Sequence, residues 1–305
     1  LAKGFPLPFQ MGTSFCNVPT TGDMPFAIIG APFDGATTYR SGSRMGPRAI
    51  RQASAMLIDG VHKQYSADLA RHVVDLGDMP LPTNDTEQML EIVTTTMDQL
   101  ASKNVVTLGG DHSITLGILR SLRKTQGKPL AVIHLDAHCD TWQDHFGHPH
   151  GHGTWLYNAI EEGLVDPRMV VSIGVRSPAD PETHDYLRSH GGETWNSQHA
   201  MSCSPVLAAD IVRGKLVGQP CYLSLDIDCL DPAHAPGTGT PEIGGLSSLW
   251  VRSFIDTLGT RRYGDSWCSL IGMDVVEVAP AYDHAEITSL AAATYVWQYL
   301  SQQIW

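Results

Sequence analysis

With 305 residues, 42% of them hydrophobic, the chain can bury a large core, and 20 basic against 32 acidic residues leave a net charge of −12. A phosphate backbone wants a basic face, so nucleic acid is excluded as the main partner, whereas a small cation or a bound metal suits an acidic cleft. The six cysteines are scattered without a CxxC pair, and a chain of this size needs no disulfides, which predicts reduced thiols in a cytoplasmic protein.

The opening "LAKGFPLPFQMG" lacks the apolar centre of a signal peptide, and no run approaches the ~20 apolar residues of a membrane span. No membrane partner is expected. Short runs rich in Val, Ile and Leu follow: "FAIIGAPF" (26–33), "HVVDLGD" (72–78), "VVTLGG" (105–110), "LAVIHLDAH" (130–138), "VVSIGVR" (170–176), "CYLSLDID" (221–228) and "LIGMDVVEV" (270–278). They are nearly continuous rather than alternating, which marks strands covered on both faces. Between them, "DTEQMLEIVTTTMDQLASK" opens on acidic residues with apolar positions at helical spacing. "SITLGILRSLRKTQG" closes on basic residues and a glycine, a helix stop. Alternating strand and helix predicts an α/β fold with a mostly parallel, doubly wound sheet. No linker or repeat divides the chain, so residues 1–305 read as one domain.

Such sheets bind ligands beyond the carboxyl ends of their strands. There the sequence places "GGDHS", "DAHCD", "DIDCLD" and "DVVEVAP". The stretch from His134 to Thr154, "HLDAHCDTWQDHFGHPHGHGT", holds six of the 14 histidines and three aspartates. On an extended backbone Asp136, His138 and Asp140, spaced by two, share one face. Asp226 and Asp228 repeat the device, and His112 adds a second imidazole. Four ionised aspartates in one place repel each other and raise one another's pKa; two divalent cations cancel that repulsion. Oxygen-rich ligation with a little imidazole suits manganese better than zinc or copper, with nickel and iron left open. A lone strand-end Asp commonly caps a turn, but capping does not neutralise the whole set. Cys139 alternates away from the ligand face and reads as a small buried apolar residue, as does Cys229.

In this order the motifs resemble those of the arginase/agmatinase ureohydrolases, over nearly the whole chain. "GAPFDGATTYRSGSRMGPRAIRQAS", "GGDHS", "DAHCD", "GHGT", "SLDIDCLDPAHAPGTGTPEIGGL" and "GMDVVEVAPAYD" carry the resemblance, and "DPAHAPGTGTPE" points to the agmatinase branch. The resemblance implies an arginase-like three-layer sandwich and a dinuclear manganese site held by His112, Asp136, His138, Asp140, Asp226 and Asp228. It implies that Glu277 holds the substrate's guanidinium and that His152 delivers the proton to the departing amine. The catalytic set is then His152, Glu277 and Asp140, the last also a ligand. It further implies a homo-oligomer, a trimer or a hexamer, acting on a small cationic guanidino compound.

Agmatine is the leading substrate, giving putrescine and urea; 4-guanidinobutyrate, another guanidino acid and a small alkylguanidine stay open. The loop "TWQDHFGHPHG" lacks the Asn and Ser contacts that arginases place there, so arginine should react poorly. Asp144 suits a terminal ammonium, whereas His145, His148 and His150 read as a solvated loop that, if protonated, suits a carboxylate. Two further classes compete: a two-metal phosphoesterase, which would want Arg or Lys beside the metals, and a non-catalytic scaffold, which would show broken ligands.

Overall fold

The computed structural model describes residues 14–57, 65–259 and 269–305. The readings of the first twelve residues and of Cys268 lie outside these. Eight strands form one sheet: β1 (Phe26–Ala31), β2 (Val73–Asp78), β3 (Asn104–Gly109), β4 (Leu130–Leu135), β5 (Val165–Val175), β6 (Glu193–Asn196), β7 (Pro220–Asp226) and β8 (Ser269–Val276). Seven correspond to the seven apolar runs. The eighth, β6, is four residues reading "ETWN" at the sheet edge, too short and polar to carry a pattern. Every pairing is parallel, so the sheet is fully rather than mostly parallel.

Nine described α-helices follow the strands: α1 (Gly46–Ala53), α2 (Thr86–Gln99), α3 (Ile114–Gln126), α4 (Trp155–Glu161), α5 (Pro181–Ser189), α6 (Ser197–Ser202), α7 (Pro205–Lys215), α8 (Ser248–Leu258) and α9 (Ile287–Ile304). Their ends are written in the sequence. The Asp85 carboxylate accepts from Gln88 N (2.9 Å) at the start of α2, a cap typically worth about 1 kcal/mol. Gly127 ends α3 at φ +68°, a left-handed position that costs other residues a Cβ clash.

Alternate strand residues feed opposite faces of the sheet. Ile28, Ile133, Leu223 and Val275 pack with Ile50 of α1, Val212 of α7, Phe254 of α8 and Tyr299 of α9. Ala27, Val132 and Tyr222 pack with Leu90 of α2, Ile118 of α3 and Leu156 of α4. Helix, sheet and helix thus form three layers, which explains the unbroken apolar runs.

The strand order is β2-β1-β3-β8-β7-β4-β5-β6. After β3 the chain passes to β4 and builds outward to β6, then β7 and β8 return to fill the centre. The four central neighbours are therefore β3, β8, β7 and β4, the strands whose carboxyl ends carry the motifs. The topological switch point sits among them.

Candidate metal centre

All six expected ligands converge at these strand ends, in two clusters. His112 Nδ1 lies 3.1 Å from Asp136 Oδ2, 3.1 Å from Asp140 Oδ2 and 3.2 Å from Asp226 Oδ2. His138 Nδ1 lies 3.2 Å from both Asp136 Oδ1 and Asp228 Oδ2. Asp136 belongs to both clusters, giving one oxygen to each.

The route to this convergence differs from the one expected. β4 ends at Leu135, and "DAHCD" is a bend rather than an extended segment. His138 N–H donates to Asp136 Oδ1 (2.6 Å), and Asp140 adopts φ +53°. Turning, not alternation, brings the three side chains together, and a non-glycine residue held left-handed stores strain of about 1–3 kcal/mol. Cys139 and Cys229 are buried, as expected.

The donor set fits divalent cations. His112 Nδ1 is buried and has no hydrogen-bond partner among the described residues, although three carboxylate oxygens surround it. Burial, and then the charges of Asp228 and Asp136, push Asp226 well above the ordinary carboxylate range. Burial also raises Asp228, so without a counter-charge this pair resists ionisation, and divalent cations supply one.

Residues outside the expected set brace the ligands. His112 Nε2 is 2.8 Å from Ser224 Oγ, which donates to Asp274 Oδ1 (2.8 Å). Asp274 also accepts from Thr115 and Tyr222. His134 donates through Nε2 to Asp136 Oδ2 (2.8 Å), and its Nδ1 is 3.0 Å from Ser172 Oγ. Trp155 Nε1–H donates to Asp140 Oδ2 (2.6 Å). On the second cluster, Ala137 N–H and Thr240 Oγ1–H donate to Asp228 (3.1 and 3.2 Å). Ser224 and Asp274 lie inside quoted motifs, but nothing in their spacing announces a brace.

Beside the clusters, Glu277 follows β8 directly, at φ +62°. Its Oε1 accepts from His112 N–H (3.0 Å) and from His152 Nδ1–H (2.8 Å). Its Oε2 is buried with no partner among the described residues, leaving one acceptor for a donor that is not part of the chain. His152 Nε2 lies 2.8 Å from Thr38 Oγ1 and 3.2 Å from Thr38 N. With Nδ1–H given to Glu277, Nε2 is the ring's acceptor and takes the Thr38 N–H. Burial works against charging His152, but Glu277 outweighs it and holds its pKa above the usual value. Asp111 fixes the loop carrying Thr38 by accepting from Ala36 N–H (2.9 Å). Burial, then Glu277, pushes Asp111 up to about 7.

A cavity of about 350 Å³ opens onto these groups, with His112, His138, Asp140, His152 and Asp226 in its wall. Glu277 is buried, in contact with the His112 N–H and the His152 ring. The loop reading needs correction here. His145 is half-buried rather than free in solvent: it stacks between Trp142 (5.2 Å) and His152 (5.5 Å) and lines the cavity. Burial, then the charge of His152, lowers its pKa to about 4, so it is neutral at pH 7 and offers no cation to a carboxylate. His148 is exposed, and His150 is engaged with Glu87. Asp144 accepts from Gly147 N–H (2.6 Å) in a tight turn. The acidic side chain in the cavity wall beyond the ligands is instead Glu242.

Comparison with known proteins places this architecture. The arginase family model matches residues 24–301. The chain is 42% identical over 291 residues to an agmatinase of Edwardsiella ictaluri (strain 93-146), covering 93% of this chain and 89% of that one. A solved hypothetical agmatinase from Burkholderia thailandensis superposes with a TM-score of 0.88 at 38% identity, covering 97% of this chain and 92% of that one. Proclavaminate amidino hydrolase from Streptomyces clavuligerus superposes at 0.89 with 37% identity, covering 97% and 98%. With the model spanning the whole sheet and relatives at this identity over most of their length, the chain belongs to the arginase family.

Proposed function

We propose that this protein is a binuclear-metal ureohydrolase that converts agmatine and water to putrescine and urea. The observation that carries the reading is the pair of clusters on Asp136 beside a buried Glu277–His152 pair whose Glu277 Oε2 has no partner of its own. Relatives at about 40% identity are named agmatinase. His112, Asp136, Asp140 and Asp226 would hold one cation, and Asp136, His138 and Asp228 the other. Manganese is the metal proposed, on the oxygen-rich donor set. Once bound, such a pair lowers the pKa of water, so that a nucleophile exists at neutral pH.

The chain's own groups do the rest. Glu277 Oε2 accepts from the guanidinium and sets its plane, as a carboxylate can for a planar cation. Asp140 lines the cavity and takes the proton that the attacking water loses. The water oxygen bonds to the guanidinium carbon, and the bond from that carbon to the substituted nitrogen breaks. His152 Nε2 protonates the departing amine, a role suited to histidine. The oxygen now bonded to carbon gives up its remaining proton to leave neutral urea, which restores the proton His152 donated.

Residues 1–305 form one ureohydrolase domain in this reading, all eight strands joining one sheet. No described helix is long and apolar enough to cross a membrane; a cytoplasmic location is proposed on the scattered cysteines of the sequence, which include no CxxC pair. Exposed Val206, Leu207 and Ile211 on α7 support a homo-oligomer. The test is urea release from agmatine, arginine, 4-guanidinobutyrate and N,N-dimethylguanidine with manganese, nickel or iron. Agmatine with manganese should give the highest kcat/KM. Arginine as the best substrate would overturn the substrate assignment.

A further inference from the structure

The segment "GTGTPEIGG" (237–245) runs from the guanidinium end of the site to the cavity wall. Gly239 passes close to Glu277: a Cβ there would come 3.5 Å from Glu277 Oε2 and 2.8 Å from the carbonyl oxygen of Arg40. Thr240 next donates to Asp228. Glu242 then enters the cavity wall. Three residues span at most ~11 Å when extended, so the Cα of Glu242 lies no farther than that from Gly239, which itself passes Glu277.

Glu242 is also held in place. Its Oε1 accepts from Ser177 Oγ–H (3.0 Å), and its carbonyl oxygen accepts from the Arg176 guanidinium (2.6 Å). Arg176 ties the same guanidinium to the carbonyl oxygens of Asp228 (2.7 Å) and Leu230 (3.1 Å). The backbone at Glu242 is thereby tied to the turn that carries Asp228, and Ser177 steadies its carboxylate. Trp142, His145 and Phe146 add aromatic faces to the same cavity, which suit an aliphatic tail and a nearby cation.

Resting on the ureohydrolase reading, we propose that Glu242, oriented by Ser177, is the specificity residue for the substrate's far end. It accepts from the terminal ammonium of a guanidinoamine and repels a tail that ends in a carboxylate. The role taken from Asp144 by its turn falls to Glu242.

The experiment compares kcat/KM for agmatine, n-butylguanidine and 4-guanidinobutyrate in the wild type, Glu242→Gln and Ser177→Ala. n-Butylguanidine has the same chain without the ammonium. Glu242→Gln should lower the agmatine-to-butylguanidine ratio roughly 10–100-fold, the range for a lost charge-assisted hydrogen bond, and mainly through KM. Ser177→Ala should lower the same ratio by less, and 4-guanidinobutyrate should gain relative to agmatine in Glu242→Gln. An unchanged ratio in both variants would overturn the assignment, as would a wild type that cleaves agmatine and butylguanidine equally well. Urea from no guanidine at all in the wild type would instead overturn the ureohydrolase reading beneath it.

Discussion

The two clusters share Asp136 but are enclosed differently. The first shares the bend after β4 through Asp136 and Asp140, but it is braced from within the sheet, where Asp226 ends β7. His112 is 1% exposed, backed through Ser224 by the buried Asp274, and packed on Trp155 at 4.9 Å. The second is built from the bend after β4 and the turn after β7. His138 is 15% exposed, and the cluster's braces are two backbone N–H groups and one threonine hydroxyl. One cluster is held by a fixed polar scaffold, the other by local turns at the cavity's edge. Outer partners that orient ligands tune metal affinity, so the first cluster should hold its ion more tightly and release it more slowly.

The largest effect should come where the comparison collapses, at the shared residue. Asp136→Asn removes an anionic oxygen from both clusters and leaves the remaining carboxylates poorly balanced against two cations. Metal content measured by elemental analysis should fall from two toward zero, with urea release at background. His138→Ala should instead lose one ion and keep the other. Two retained ions in both variants would sink the ligand assignment.

Next come changes that spare both clusters. Glu277→Gln and His152→Asn leave every candidate ligand intact, so metal content should stay at two while kcat falls about 10²–10⁴-fold, the usual contribution of a general acid–base group. For Glu277→Gln the cause is the amide's poor match to a guanidinium. Loss of metal from His152→Asn would show that His152 belongs to the metal scaffold rather than to the proton path.

Much of this was legible in the sequence. Seven of the eight strands announce themselves because both faces of a central parallel strand must be apolar, and the caps of α2 and α3 are local chemistry. The candidate ligands stood out because carboxylates at several strand ends are costly unless something neutralises them. What escaped depends on chain folding back over distance. His145 reads as loop until its ring is seen between Trp142 and His152. Asp144 reads as a free carboxylate until Gly147 N–H takes it. Asp274 is one acid among many until the β7–β8 pairing sets it opposite Ser224. Asp136, His138 and Asp140 do converge, but through a strained bend that alternation does not describe.

A smaller effect should separate the two clusters by their braces. Asp274→Asn weakens the support behind His112 through Ser224 and touches nothing in the second cluster. Such outer partners typically contribute 10–100-fold in metal affinity. A competition titration with a chelating dye should show the tighter of two steps weakening by that factor and the weaker step unmoved. Equal weakening of both would mean the scaffold is shared.

The smallest effect tests the other side. Thr240→Val keeps the branched shape and removes the hydroxyl that donates to Asp228 Oδ2 at 3.2 Å. Asp228 Oδ1 keeps the Ala137 N–H, and Oδ2 faces His138, so the carboxylate is loosened rather than stranded. One modest hydrogen bond is worth about 0.5–1.5 kcal/mol, which predicts a roughly 2–10-fold loss confined to the weaker titration step. Because Thr240 sits two residues before Glu242, the same variant should leave the agmatine-to-butylguanidine ratio near its wild-type value once metal is saturating. A drop in that ratio would mean that the turn, rather than Ser177 and Arg176, sets the position of Glu242. A loss on the tighter step would reverse the assignment of scaffold and turn to the two clusters.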